Sequence, residues 1–244
     1  MRTIRIHVEQ TLAVGTTVTL PPQAAEHVAR VLRLVAGDPL VLFNGDGHDY
    51  AATLAEVGKR QVSATLESRE PVRRESPLPL VLAQGVARGE KMDLIVQKAT
   101  ELGVTAIVPL LTERSEVKLD GERAAKRLAH WRAVIASACE QCGRAVLPDI
   151  VAPVALAAWL AGLEDDGVLR LALLPEGEAR ARDIQPAPTG AILVVGPEGG
   201  LGERDVAGLA GHGFRGLQLG PRILRTETAG LAALAALQAL HGDL

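Results

Sequence analysis

Three stretches of this 244-residue chain combine residue types and spacings that point to chemistry. The first runs from Ile192 to Asp205. An unbroken apolar run, Ala191–Val195, leads into Gly196-Pro197-Glu198-Gly199-Gly200, and a helix is expected to open a few residues later. Three glycines within five positions remove the side chains that would keep a ligand off the backbone. The carboxyl end of a parallel strand is where open α/β sheets bind ligands. An ordinary strand-to-helix turn also uses glycine and proline, so the segment by itself leaves both readings open. It is not a dinucleotide fingerprint, because the G-x-G-x-x-G order is absent. A backbone loop carrying an acid favours a ligand with amine or hydroxyl donors over a polyphosphate.

The second stretch is Leu217–Ala229, another apolar strand ending in glycine, here Gly220 followed by Pro221. Ile223 and Leu224 lie outside any regular element, where an adenine ring or the core itself must cover them. Arg225 follows, placed to hold an anion or a nascent oxyanion if it faces a pocket, and otherwise a surface arginine. Thr226 reads as a helix cap, with Glu227 in the first turn, where a carboxylate suits the dipole.

The third stretch is 84–109 together with 137–144. Lys91, Lys98 and Glu101 share a helical face with Arg88 just before it, a pattern that by default is solvated surface. Cys139 and Cys142 are the only cysteines. Their C-x-x-C spacing lies near the end of a helix, without a second ligand pair, whereas redox C-x-x-C motifs open helices. Two core-facing thiols on successive turns are expected, and no metal.

Elements must hold these segments in place, and hydrophobic periodicity supplies two sets. Up to residue 72 the chain reads as short strands (3–8, 17–20, 39–43, 50–54, 61–66) with a hairpin turn at Asn44–Gly47. One helix over 23–34 interrupts them, with Ala24, Val28, Val31 and Leu32 inward. That pattern suggests a small barrel or compact sheet. The proline-rich 71–79 is a plausible linker. Beyond it, strands at 80–84, 106–110, 146–151, 169–174, 191–195 and 216–219 alternate with helices at 91–102, 122–142, 154–161, 203–212 and 228–241. That order is the mark of an α/β domain with a mostly parallel sheet.

Composition limits the function. Hydrophobic residues are 48% and charged residues 23%, so the chain can bury a core. Net charge is −3 and no basic domain hides behind the average: 7 basic and 8 acidic residues precede residue 73, and 10 and 8 lie between 85 and 145. A protein coating nucleic acid by charge alone carries a large basic excess. Five aromatic residues spread along the chain, Phe43, Tyr50, Trp131, Trp159 and Phe214, cannot build a base-stacking platform. No secretory segment or apolar run of membrane-spanning length is present in the sequence, which makes the cytoplasm the expected location.

Taken together, GPEGGLGERD (196–205), LGPRILRTETA (219–229), RGEKMDLIVQKATELGV (88–104) and ACEQCGR (138–144) resemble the bacterial 16S ribosomal RNA uracil N3-methyltransferases. These belong to the SPOUT superfamily of S-adenosylmethionine-dependent, trefoil-knot enzymes. VARVLRL (28–34) and TERSEVKLD (112–120) extend the likeness over nearly the whole chain. Many relatives carry serine where this chain has Gly202, a weaker helix cap.

The resemblance implies an N-terminal PUA-like β-barrel over 1–72 that binds RNA, and a SPOUT α/β-knot methyltransferase domain over 73–244. No composition argument would propose the knot, which is almost absent from proteins. It implies a homodimer and S-adenosylmethionine as cofactor, held by loops mapping to Leu174–Glu176, Gly196–Gly200 and 219–224. The cofactor-binding residues carried over are Leu174, Gly196, Glu198, Gly199, Gly200, Leu219, Gly220, Ile223 and Leu224.

Methyl transfer from a sulfonium is an in-line displacement that needs positioning, deprotonation of the acceptor and no metal. Arg225 would stabilise charge developing on the uracil oxygens, and Glu198 would accept the proton or orient the base. Arg30, Arg33, Arg88, Lys91, Arg114 and Arg144 are the basic residues expected against RNA phosphates. The partner implied is 16S rRNA within the assembled small subunit. Two rivals stand beside this: a SPOUT enzyme modifying a ribose 2′-hydroxyl or another base, and a non-catalytic ribosome-assembly factor.

Overall fold

Alternating residues near the start of the chain build a mixed sheet. The computed structural model describes residues 3–58, 61–117, 121–164, 167–184 and 189–244, so Lys118–Asp120 of the TERSEVKLD stretch lie outside the described residues. Five strands, β1 (Arg5–His7), β2 (Thr17–Thr19), β3 (Pro39–Phe43), β4 (His48–Val57) and β5 (Val62–Pro71), lie in the order β1-β3-β4-β5-β2. The β1–β3 pair is parallel and the others antiparallel. Every second residue, Leu40 and Leu42, Tyr50, Ala52 and Leu54, Val62, Ala64 and Leu66, faces one core, as the two-residue strand period requires.

The expected helix over 23–34 is shorter and changes type. Helix α1 (Pro22–Glu26) passes into a π-helical turn at His27–Val31, where the Leu32 N–H donates to His27 O at 2.9 Å. The wider i→i+5 turn breaks the 3.6-residue stripe. Ala24 and Val28 are buried as expected, while Val31 is rotated outward and 65% exposed.

The second sheet uses β6 (Leu80–Gly85), β7 (Ala106–Leu111), β8 (Asp149–Ile150), β9 (Val154–Ala155), β10 (Leu169–Leu173), β11 (Ala191–Val195) and β12 (Arg215–Leu217). Its order is β12-β10-β11-β6-β7-β8, with β9 also pairing β7, and each of these pairings is parallel. Helices α2 (Glu90–Glu101), α3 (Gly121–Cys142), α4 (Leu156–Ala161), α5 (Glu203–Gly211) and α6 (Thr226–His241) connect or follow the strands. Helix α2 forms because Met92, Ile95, Val96 and Ala99 recur at helical spacing and are all buried, and Gly103, at φ +80°, ends it. All of β11 is buried, which explains its unbroken apolar run. This is the mostly parallel α/β architecture that the alternating strands and helices imply.

Contacts divide the chain into two compact units: Met1–Glu75 with Ala136–Leu147, and Ser76–Ile135 with Pro148–Leu244. Within the first unit the end of α3 is tied to the mixed sheet. The Arg5 guanidinium donates to Cys139 O at 2.7 Å and to Arg144 O at 3.2 Å, and the His7 N–H donates to Glu140 Oε1 at 2.9 Å. Cys139 is fully buried, and its contact with Cys142 and its burial push the thiol far up. Arg144 requires a correction. It is 3% exposed and its guanidinium holds the Glu75 carboxylate, so it lies in the interior of this unit, not on a surface facing phosphates. Among the described residues there is no cluster of three or more histidine, cysteine or acidic side chains that could hold a metal. No helix among them is long and apolar enough to cross a membrane.

Candidate active site

The carboxyl ends of β10, β11 and β12 open into two adjoining lobes of a pocket. The smaller, about 80 Å³, is walled by apolar side chains, among them Leu173, Leu174, Leu217, Leu219, Ile223 and Leu224. The larger, about 430 Å³, is bounded by the 196–201 loop, Arg225–Glu227, Lys91 and Arg114. The glycines of the 196–200 loop meet two different demands. A Cβ on Gly196 would lie 2.7 Å from Gly200 C, so the turn closes only without one, and Gly200 sits at φ +71°.

Buried hydrogen bonds hold the loop at its base. Gln84, the penultimate residue of β6, is completely buried, and its Nε2 donates to Thr226 Oγ1 at 2.9 Å and to Gly85 O at 3.0 Å. The Thr226 hydroxyl in turn donates to Gly196 O at 2.7 Å. Thr226 is therefore not the helix cap expected from sequence. Arg225 occupies that place, and Thr226 is the first helical residue, its hydroxyl turned inward to the loop.

Carboxylates brace the far side of the loop. Gly202 caps α5 without a side chain, and Asp205 Oδ2 accepts its N–H at 2.9 Å. The same Asp205 accepts the Glu113 N–H at 3.1 Å, and Glu113 Oε2 accepts the Arg204 N–H at 3.3 Å. Next to it, the Arg114 guanidinium donates to Gly199 O at 3.1 Å.

Glu198 faces the larger lobe, and its Oε1 accepts the Arg88 N–H at 3.1 Å and lies 3.3 Å from Lys91 Nζ. Partial burial pushes this carboxyl up. Its own backbone N–H, the Arg88 N–H and the Lys91 ammonium outweigh that and hold it below the usual carboxylate range. Lys91 Nζ also lies 3.6 Å from Glu227 Oε2. The exposed Arg225 side chain has no hydrogen-bond or ion-pair partner among the described residues.

All nine residues expected around a cofactor therefore line one lobe or the other, and Arg225 and Glu198 share the larger. Of the basic residues, Lys91 and Arg114 line that same lobe, and the guanidinium of exposed Arg88 pairs with Glu116. Arg30 and Arg33 are exposed in the other unit, Arg33 at φ +56°. Sequence reasoning missed Gln84, Glu113 and Asp205. A polar residue closing an apolar strand was the one available signal for Gln84.

Parallel strands whose carboxyl ends wall an apolar slot and a glycine-lined polar chamber define an α/β ligand-binding unit of the enzyme type. A family model described as RNA methyltransferase domain matches residues 74–238, and one described as RNA methyltransferase PUA domain matches 20–67. This chain belongs to the RNA methyltransferase family that the first of these describes. A ribosomal RNA small subunit methyltransferase E from Bacillus subtilis is 32% identical over 96% of each chain. The structure of the enzyme of the same name from Neisseria gonorrhoeae, bound to S-adenosyl methionine, is 37% identical over the whole of both chains at a TM-score of 0.91. A Legionella pneumophila chain solved in complex with the bound cofactor SAM is 43% identical, again over both whole chains, at 0.96.

Proposed function

We propose that this protein transfers a methyl group from S-adenosylmethionine to N3 of a specific uridine in 16S rRNA of the small ribosomal subunit. In this reading it acts as a cytoplasmic homodimer, with the first unit contributing RNA contacts. The observation that carries the reading is the two-lobed pocket. Its apolar lobe suits an adenine ring, and the larger lobe, with loop backbone and side chains of both signs, suits a ribose and a zwitterionic amino-acid tail. The sulfonium, when bound, supplies the methyl group.

The chain's own residues do the rest. The glycine-rich loop fixes the donor side, so that little translational freedom is left to lose at the moment of reaction. N3 of uracil lies between two carbonyls, so removing its proton spreads negative charge onto oxygen. The unpaired Arg225 guanidinium, at the amino end of α6 and on the wall of the larger lobe, is available to that charge. Glu198, held ionised, accepts the N3 proton or orients the base through it. Arg30 and Arg33 in the first unit and Arg88 and Arg114 in the second are the basic residues left to face phosphates. With a net charge of −3, the affinity for isolated RNA is weak and salt-sensitive, and the folded subunit supplies the shape that charge does not.

The test is methylation of small subunits from cells lacking the gene, with the modified nucleotide identified by mass spectrometry. The reading expects N3-methyluridine, better methylation of subunits than of naked 16S rRNA, and wild-type binding of S-adenosylmethionine by calorimetry. A ribose 2′-O-methyl product would replace the reaction with that of a different SPOUT enzyme, and no cofactor binding at high micromolar concentration would leave an assembly factor. Arg225→Ala and Glu198→Ala are each expected to cut methylation, the former with cofactor binding retained. Unchanged methylation in both would remove their assigned roles.

A further inference from the structure

Resting on the cofactor reading above, we propose that Lys91 is a positioning residue of the pocket and not an RNA contact. In this role its ammonium bridges Glu198 and Glu227, and so fastens the rim of the 196–200 loop to the first turn of α6. Lys91 is the second residue of α2, and its Nζ lies 3.3 Å from Glu198 Oε1 and 3.6 Å from Glu227 Oε2. The two carboxylates come from different elements, and both line the larger lobe.

Glu227 makes the ammonium necessary. Its Oε2 is shielded from solvent and accepts no hydrogen bond, and Lys91 is the cation that pairs with it. The amino end of α6 favours a carboxylate in its first turn, but a buried oxygen without a hydrogen bond or counter-charge is strongly unfavourable. The surroundings also argue against a phosphate. One ammonium set between two carboxylates leaves the cluster negative, so a phosphate drawn to Lys91 would approach two like charges. Arg225, with no acidic partner, has no such obstacle.

The bridge complements the buried one. Gln84 and Thr226 tie the same loop to the same helix from beneath, through Gly196, and Lys91 does so at the rim through Glu198. Arg88 adds to the arrangement by donating its backbone N–H to Glu198 Oε1, which leaves its guanidinium to Glu116. The loop is thus tied to α6 at two points, Gly196 and Glu198.

Calorimetry with S-adenosylmethionine and salt-dependent binding of 16S rRNA separate the two roles in Lys91→Met, Lys91→Arg, Glu227→Gln and the Lys91→Met/Glu227→Gln double variant. Positioning predicts that Lys91→Met weakens cofactor binding by about five- to thirtyfold, and that Lys91→Arg retains more affinity than Lys91→Met. It also predicts that adding Glu227→Gln recovers part of the Lys91→Met loss, because the stranded carboxylate is gone, while the salt slope of RNA binding stays as in the wild type. A phosphate contact predicts intact cofactor affinity and a salt slope reduced by about one, and that result overturns the proposal.

Glu227→Gln alone carries the test if Lys91→Met does not fold. Positioning expects a severalfold loss of cofactor affinity with RNA binding unchanged, whereas tighter RNA binding with unchanged cofactor affinity would refute it. Failure of the wild-type protein to bind S-adenosylmethionine overturns the cofactor reading itself, and is distinguishable because it shows before any variant is made.

Discussion

Gly85 and Pro197 approach so closely that a Cβ on Gly85 would lie 2.6 Å from both N and Cδ of the proline. The end of β6 is thus the floor on which the 196–200 loop rests, and neither the backbone nor a proline ring can yield there as a long side chain could. Gly85→Ala is expected to cost about 1–3 kcal/mol, the usual range for overpacking, and to weaken cofactor binding by at least about tenfold through displacement of the loop. Urea melts and calorimetry on one preparation check both. A variant as stable as the wild type with unchanged affinity contradicts the close fit.

The hydrogen bonds beneath the loop give an asymmetric expectation. Thr226→Val leaves the Gln84 amide and Gly196 O each short of a buried partner, and is expected to cost about 1–3 kcal/mol. Gln84→Leu costs less, because Gln84 Oε1 already lacks a partner and the Thr226 hydroxyl keeps Gly196 O. Combining the two removes the amide that Thr226→Val deprives of one acceptor, so the double variant is less destabilised than the sum of the singles. Strict additivity in chemical denaturation would mean the network is not shared.

Arg144 and Arg30 are both basic residues within family motifs, yet they part company in the structure. The Arg144 side chain is 4% exposed beside a Glu75 that is 33% exposed, so Arg144→Ala strands a partly buried carboxylate at a cost of about 2–4 kcal/mol, read by thermal melting. The Arg30 side chain is 78% exposed, and its pair with Glu26 contributes little, so Arg30→Ala leaves stability within about 0.5 kcal/mol. If Arg30 meets phosphate, the same change lowers the salt slope of RNA binding by about one. Reversed phenotypes would exchange the two assignments.

Glu140 sets a pH dependence in the first unit. Burial pushes its carboxyl up, against the His7 N–H and the charges of His27 and Arg5, which favour the ionised form. The folded state therefore holds this proton more tightly than the unfolded chain does. Its stabilising contribution is present below the ordinary value of 4.5 and fades as pH rises through the elevated folded value. Glu140→Gln keeps an acceptor for the His7 N–H and is expected to stabilise the protein at neutral pH while flattening its stability above pH 4.5. Denaturation midpoints followed from acid to neutral pH provide the check, and a Gln variant with wild-type slope would rule out this source.

What the sequence disclosed follows from how local each signal is. The β11 run and the GPEGG turn are contiguous, so the strand end and its glycine turn were legible together, and only their agreement with the other motifs set a ligand site above an ordinary turn. The full set of pocket-wall residues, Leu174 and Leu219 among them, came from the family resemblance, and each lies within a few positions of a strand end. The Gln84–Thr226 bond joins positions 142 apart, and no periodicity in one chain announces such a pairing. Arg144 shows a charge in sequence but not Glu75, which neutralises it from 69 residues away. Val31 failed differently: its spacing was helical, and a single π turn moved it from the core to the surface.

Residues 136–147 are assigned to the unit otherwise formed by the first 75, and that has a consequence for how the protein is made. A ribosome extruding this chain delivers all five strands of the mixed sheet long before Glu140 and Arg144 leave the exit tunnel. Arg5, the His7 amide and Glu75 must wait for their partners while the first half of the parallel sheet is being synthesised. The first unit to begin folding is therefore not complete when the second begins, and domain-by-domain maturation in order of synthesis is closed to it. For the same reason a fragment ending at residue 75 would present an unpaired Glu75 and an open face at β1, and the smallest contiguous piece containing the whole first unit must reach residue 147.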